Sequence, residues 1–175
     1  MLPPLRNSFD QMEAARRRVL ALTGPLTEPQ AHFSPGPEEW SVVQVLEHIV
    51  TIDLIVLRLV EKQMTKTELR PAGIQTTFRS LLVTLALRYR KKIKAPAVLP
   101  VPTGDRTLAE WRRDWEASRE QWLQMLESVP EKLLGKELFK HPLAGYFTLR
   151  QTLDFITEHT LHHVGQVQRL VQAAR

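Results

Sequence analysis

Six histidines and no cysteine set the chemistry open to this 175-residue chain. The histidines are His32, His48, His141, His159, His162 and His163. His159 and His163 stand four apart in a stretch with helical periodicity, so their side chains share one face, one turn apart. Two imidazoles at that spacing can reach one metal ion. Thr160 stands where the glutamate of a zinc-protease HExxH motif would be, which argues against that chemistry. A di-iron site of the ferritin type needs inward Glu and Glu-x-x-His pairs, and none is found. Without cysteine there is no disulfide framework, no zinc–thiolate site and no thiol nucleophile borne by the protein.

Helical projection separates the histidines. Leu149, Leu153, Ile156, Thr160, Val164, Val167, Leu170 and Val171 define the buried direction of a last helix. At about 100° per residue, His163 lies about 40° from that direction, His159 about 80° and His162 about 140°. The pair at the core's edge is therefore His159 with His163, and His162 is expected to face solvent. In an earlier helix centred on Val42, Ile49, Val56 and Val60, His48 projects about 110° from the apolar centre, also at a border. Three histidines at such edges can converge on a cleft. Three neutral imidazoles leave coordination positions open, as a catalytic metal requires.

The elements that must position these residues are helical. Phe9, Met12, Val19 and Leu20 predict a first, shorter helix near 7–22, stopped by Gly24-Pro25. Residues 25–40, rich in proline and polar residues, read as a loop. Ser41 with Gln44, Thr107 with Glu110, and Thr148 with Gln151 form three capping boxes. They open a helix from 41 to about 66, one carrying Leu108, Trp111, Trp115, Ser118, Trp122, Met125 and Leu126, and the last helix. Phe78, Leu81, Leu82, Leu85 and Tyr89 mark another near 75–92. Pro96, Pro100 and Pro102 make 95–106 an extended connection, and 131–147 reads as a short helical turn plus loop. No stretch alternates with period two long enough to argue for a sheet. The pattern predicts an all-α protein, a four-helix bundle with an extra short helical segment, forming a single domain over 1–175.

Hydrophobic residues are 43% and charged residues 25%, as in ordinary globular chains. The start, MLPPLRNSFDQ, does not read as a signal peptide, and LIVLRLV and LLVTLAL are too short to span a bilayer. A cytoplasmic protein is expected. The net charge of +5 could attract nucleic acid, a membrane surface or a small anion. Its densest run, Arg88, Arg90, Lys91, Lys92 and Lys94, reads as the cationic end of a helix. No nucleic-acid-binding signature accompanies it, so no specific nucleic-acid partner is expected.

Trp40-Ser41 followed by His48, then His141-Pro142 with Gly145, then His159-x-x-x-His163-x-Gly165-Gln166, resembles the DinB-like superfamily. The order of elements matches from about residue 8 to the end. The resemblance implies a four-helix bundle whose metal ligands match His48, His159 and His163. It implies a divalent ion such as nickel or zinc, and often a homodimer. Among its characterised members are transferases and isomerases that depend on low-molecular-weight thiols.

The leading expectation is thus a metal-dependent transferase acting with a low-molecular-weight thiol, which must be a cosubstrate because the chain has no cysteine. A second is metal-dependent hydrolysis, for which Asp53, about 20° from the centre of its helix's apolar face, is a possible general base. A carboxylate so placed is more often a hydrogen-bonded core residue or one that orients a histidine. A third is a non-catalytic, stress-associated protein that binds a metal or small ligand. Gly165 projects away from the core and could allow a close helix approach. Trp40, Trp111, Trp115 and Trp122 read as core more than as pocket lining. His141 could border a cleft or occupy a loop, and His32 has no evident partner.

Overall fold

Three of the four long helices start where a side chain accepts one of their first free N–H groups. The computed structural model describes residues 1–89 and 100–175. Its elements are α1 (Pro3–Thr23), α2 (Glu28–His32), α3 (Val42–Met64), α4 (Ile74–Arg88), α5 (Leu108–Ser128), β1 (Phe139–His141), β2 (Gly145–Phe147) and α6 (Leu149–Ala173). Ser41, Thr107 and Thr148 cap α3, α5 and α6, accepting the N–H groups of Gln44, Glu110 and Gln151 at 3.2, 3.2 and 3.3 Å. Pro3, which lacks an N–H, opens α1 earlier than the periodicity from Phe9 suggests, so the first helix is not the short one.

The four long helices close a ring: α1 packs on α6, α6 on α3, α3 on α5 and α5 on α1. The sequence predicts a four-helix bundle, but its members differ: α1, read as the short extra helix, takes the place of the helix near 75–92. The shorter α4 lies outside the ring on α6 and touches β2. Two apolar clusters fill the bundle. Val43, Leu46, Ile49, Trp115, Val164 and Val167 belong to one, and Val56, Leu57, Trp122, Leu126, Leu149 and Leu153 to the other. Between them on the same helices lie buried polar residues: His48 and Asp53 on α3, Ser118 and Arg119 on α5, Thr157 and Glu158 on α6. A polar belt thus crosses the bundle between two apolar halves.

Three expectations change. Residues 25–40 are not all loop, because Thr27 N–H bonds to Gln30 Oε1 at 3.0 Å and starts the short α2. Residues 131–147 contain a two-stranded antiparallel hairpin pairing Phe139 with Phe147 and His141 with Gly145. Its strands are three residues each, too short for an alternation to register. The apolar marks of α4 are not its buried side: Phe78 and Leu81 are exposed, Leu82 lines a cavity and Leu85 is half-buried, while Thr76, Ser80 and Leu87 are buried. Arg88 ends α4, but Arg90, Lys91, Lys92 and Lys94, and with them Pro96, lie outside the described residues. Among the described residues no helix is long and apolar enough to cross a membrane.

Candidate metal centre

The belt places His48 on α3 opposite His159 and His163 on α6. Nε2 of His48 and Nε2 of His159 are 3.1 Å apart. The three rings form a near-equilateral triangle, with centroids 5.1, 5.0 and 4.9 Å apart. One ring nitrogen from each lies within 4.8 Å of the others. Tetrahedral nitrogen ligands at about 2.0–2.1 Å from zinc are themselves about 3.3 Å apart, close to the His48–His159 spacing. The donor set therefore fits a divalent ion of intermediate hardness.

Electrostatics favour the neutral, ligating form. Burial lowers the His48 and His163 pKa values to about 4. His159 is held well below its ordinary value by burial, then by repulsion from His163 and His48. Nδ1 of His163 is 2.9 Å from Gln166 Oε1. An amide oxygen only accepts, so that bond puts the His163 proton on Nδ1 and leaves Nε2 with a lone pair. The Gln166 bond went unread in the sequence, although its three-residue offset on one helix was visible.

The centre lines a cavity of about 1420 Å³ between α3, α4, α6 and the hairpin. Its wall is mostly apolar, through residues such as Ile52, Val56, Leu82 and Phe155. Trp40 lines it too and lies 5.3 Å from the His48 ring. Trp111, Trp115 and Trp122 are core residues.

This order of elements has known relatives. The DinB superfamily model matches residues 11–167. The chain belongs to the DinB superfamily. It is 28% identical over 145 residues to the Bacillus subtilis (strain 168) protein YuaE, covering 83% of this chain and 85% of YuaE. The structure of Bacillus subtilis YfiT, described as a "probable metal-dependent hydrolase with an unusual four-helix bundle topology", superposes with a TM-score of 0.63. That match covers 95% of this chain and 85% of YfiT at 15% identity, and shows a shared fold.

Within this DinB-superfamily chain the other candidates separate from the centre. Asp53 does not serve it. Its carboxylate accepts from Ser118 Oγ (2.5 Å), Arg119 Nη1 (2.7 Å) and Trp122 Nε1 (3.1 Å), all on α5, and it does not line the cavity. Of the roles read for it, the hydrogen-bonded core residue is the one seen, and that of general base is set aside. His162 is half-buried rather than solvent-facing, because α4 covers that side of α6 and His162 Nδ1 bonds to Leu87 O at 2.9 Å. Gly165, expected to face away from the core, is buried and lines the cavity. His141 lines the cavity from β1, its pKa lowered to about 4 by burial. His32 is exposed and bonds to its own helix at Glu28 O, 2.9 Å away.

Proposed function

We propose that this chain is a metal-dependent transferase in which His48, His159 and His163 hold a divalent ion, nickel or zinc, and a low-molecular-weight thiol is the cosubstrate. The observation that carries the reading is the convergence of three neutral imidazoles on the wall of a cavity larger than the usual single-ligand pocket. When bound, the ion would supply Lewis acidity that draws the pKa of a ligated thiol or water toward neutrality. The chain's own residues do the rest. Burial keeps the imidazoles unprotonated, Gln166 orients one of them, and the apolar wall limits water around the reacting group. Three protein donors leave a tetrahedral position free for a small molecule. Arg79, Lys140 and Arg169 outnumber Glu38 and Glu39 on the cavity wall, a balance that favours an anionic cosubstrate. The chain has no cysteine, so the thiol comes from outside. The cytoplasm, where small thiols stay reduced, is the compartment that suits this reaction.

Hydrolysis is the second reading, favoured by the description of YfiT. It would need a base, and the buried Asp53 is committed to three donors on α5. The test is metal-loaded protein assayed with a panel of thiols and electrophiles, in parallel with esters and amides without thiol. Thiol consumption that disappears on chelation is expected. Turnover without thiol would favour hydrolysis, and no turnover in either arm would contradict an enzyme. The family resemblance also suggests a homodimer, for which the outward apolar residues of α4 offer a surface.

A further inference from the structure

We propose that the hairpin end of the cavity binds an amphipathic organic anion. Its carboxylate-like group is held by Arg79 and His141, and its apolar body lies along Ile52, Val56 and Phe155 toward the three histidines. The inference deepens the proposed function by naming a class of acceptor for the same site.

The hairpin brings the two polar groups together. His141 and Gly145 are cross-strand partners, so their side-chain directions share one face of the hairpin. Gly145 has φ +77°, and a Cβ there would lie 3.1 Å from Arg79 Nη1. The guanidinium of α4 therefore rests over the hairpin on the His141 side, in space that any other residue at 145 would contest. Among the described residues no carboxylate pairs with Arg79. Lys140 also lines the cavity, but it pairs with Tyr146 in the hairpin register and its Nζ lies 5.8 Å from that ring, so it is not part of the clamp.

His141 presents a fixed donor. Its Nδ1 accepts the N–H groups of Leu143 and Ala144, each at 3.2 Å. The neutral ring must then carry its proton on Nε2, and that N–H has no protein acceptor among the described residues. Phe139, Phe147 and Phe155 surround the ring. Phase by phase the wall stays aromatic toward the histidines: the Phe155 ring is 5.0 Å from His141 and 5.9 Å from His159. A molecule with its anionic end at the clamp reaches the triad within a short apolar chain. A guanidinium and an imidazole N–H both stabilise a carboxylate over a neutral hydroxyl, because hydrogen bonds to an ionised acceptor are about twice as strong.

The experiment titrates metal-free, untagged protein with octanoate and with octan-1-ol, followed by NMR of backbone and histidine ring nitrogens. Octanoate is expected to bind about tenfold tighter than octanol and to shift the His141 Nε2–H resonance. Arg79→Gln, a change at an exposed side chain, should reduce octanoate affinity to the octanol level. Equal affinities, unchanged octanoate binding in Arg79→Gln, or no octanoate binding would each overturn the proposal. No metal is present, so this result and a failure of the metal centre are read separately.

Discussion

A histidine that ligates a metal must be neutral and aimed, and in this chain different neighbours meet the two requirements. Burial supplies neutrality at His48 and His163, whose pKa values fall to about 4. Because the folded values lie below the ordinary 6.5, the unfolded chain binds more protons between pH 6.5 and about 4. The stability of metal-free protein should therefore be level above that window and decline as pH drops through it, which urea midpoints at several pH values would show. Gln166 supplies aim at His163. Gln166→Leu should weaken metal affinity by about 10-fold or more while leaving helicity unchanged, as titration calorimetry and circular dichroism would report. Spacing and helical projection made the pair His159 and His163 legible, and the family resemblance made them metal ligands. Projection misplaced His162, because it assumes one buried side and α4 covers a second, and it misplaced Gly165, which is buried on the cavity wall.

The elements meet through the buried network around Asp53. Arg119 on α5 pairs with Asp53 on α3 at 2.7 Å and with Glu13 on α1 at 2.9 Å, so one guanidinium joins three helices. Asp53→Ala leaves Arg119 buried without its closest partner and should cost about 3–5 kcal/mol in urea denaturation. The folded variant should keep its metal stoichiometry, since Asp53 touches none of the three histidines' cavity surface. Three helix starts were readable from their capping boxes to the residue, because the cap and its glutamine or glutamate stand only three residues apart. The hairpin was not, since three-residue strands carry no periodicity and depend on the left-handed turn at Gly145. The α4 periodicity revealed a helix but not its orientation. Ile74, Phe78 and Leu81 are 90, 60 and 52% exposed, while small polar residues face inward. If a second copy covers that face, Phe78→Glu should shift the protein from dimer to monomer in sedimentation velocity; a wild-type monomer would contradict the dimer.

At the scale of the molecule, two apolar clusters hold the ring of α1, α6, α3 and α5 closed, and the polar belt between them divides its tasks. On the α5 side the belt is tied up in ion pairs and hydrogen bonds to the Asp53 carboxylate. On the α4 side it opens into the cavity with three imidazoles. Burying three adjacent histidines neutral disfavours the folded state in acid, and a shared divalent ion is what would compensate for it. The most direct test is titration of zinc and nickel into untagged wild-type protein and into the single variants His48→Ala, His159→Ala, His163→Ala and His162→Ala. Wild type and His162→Ala should each bind a single equivalent, and the other three should lose stoichiometric binding. Wild type that takes up no ion, or triad variants that bind as wild type does, would contradict the metal centre.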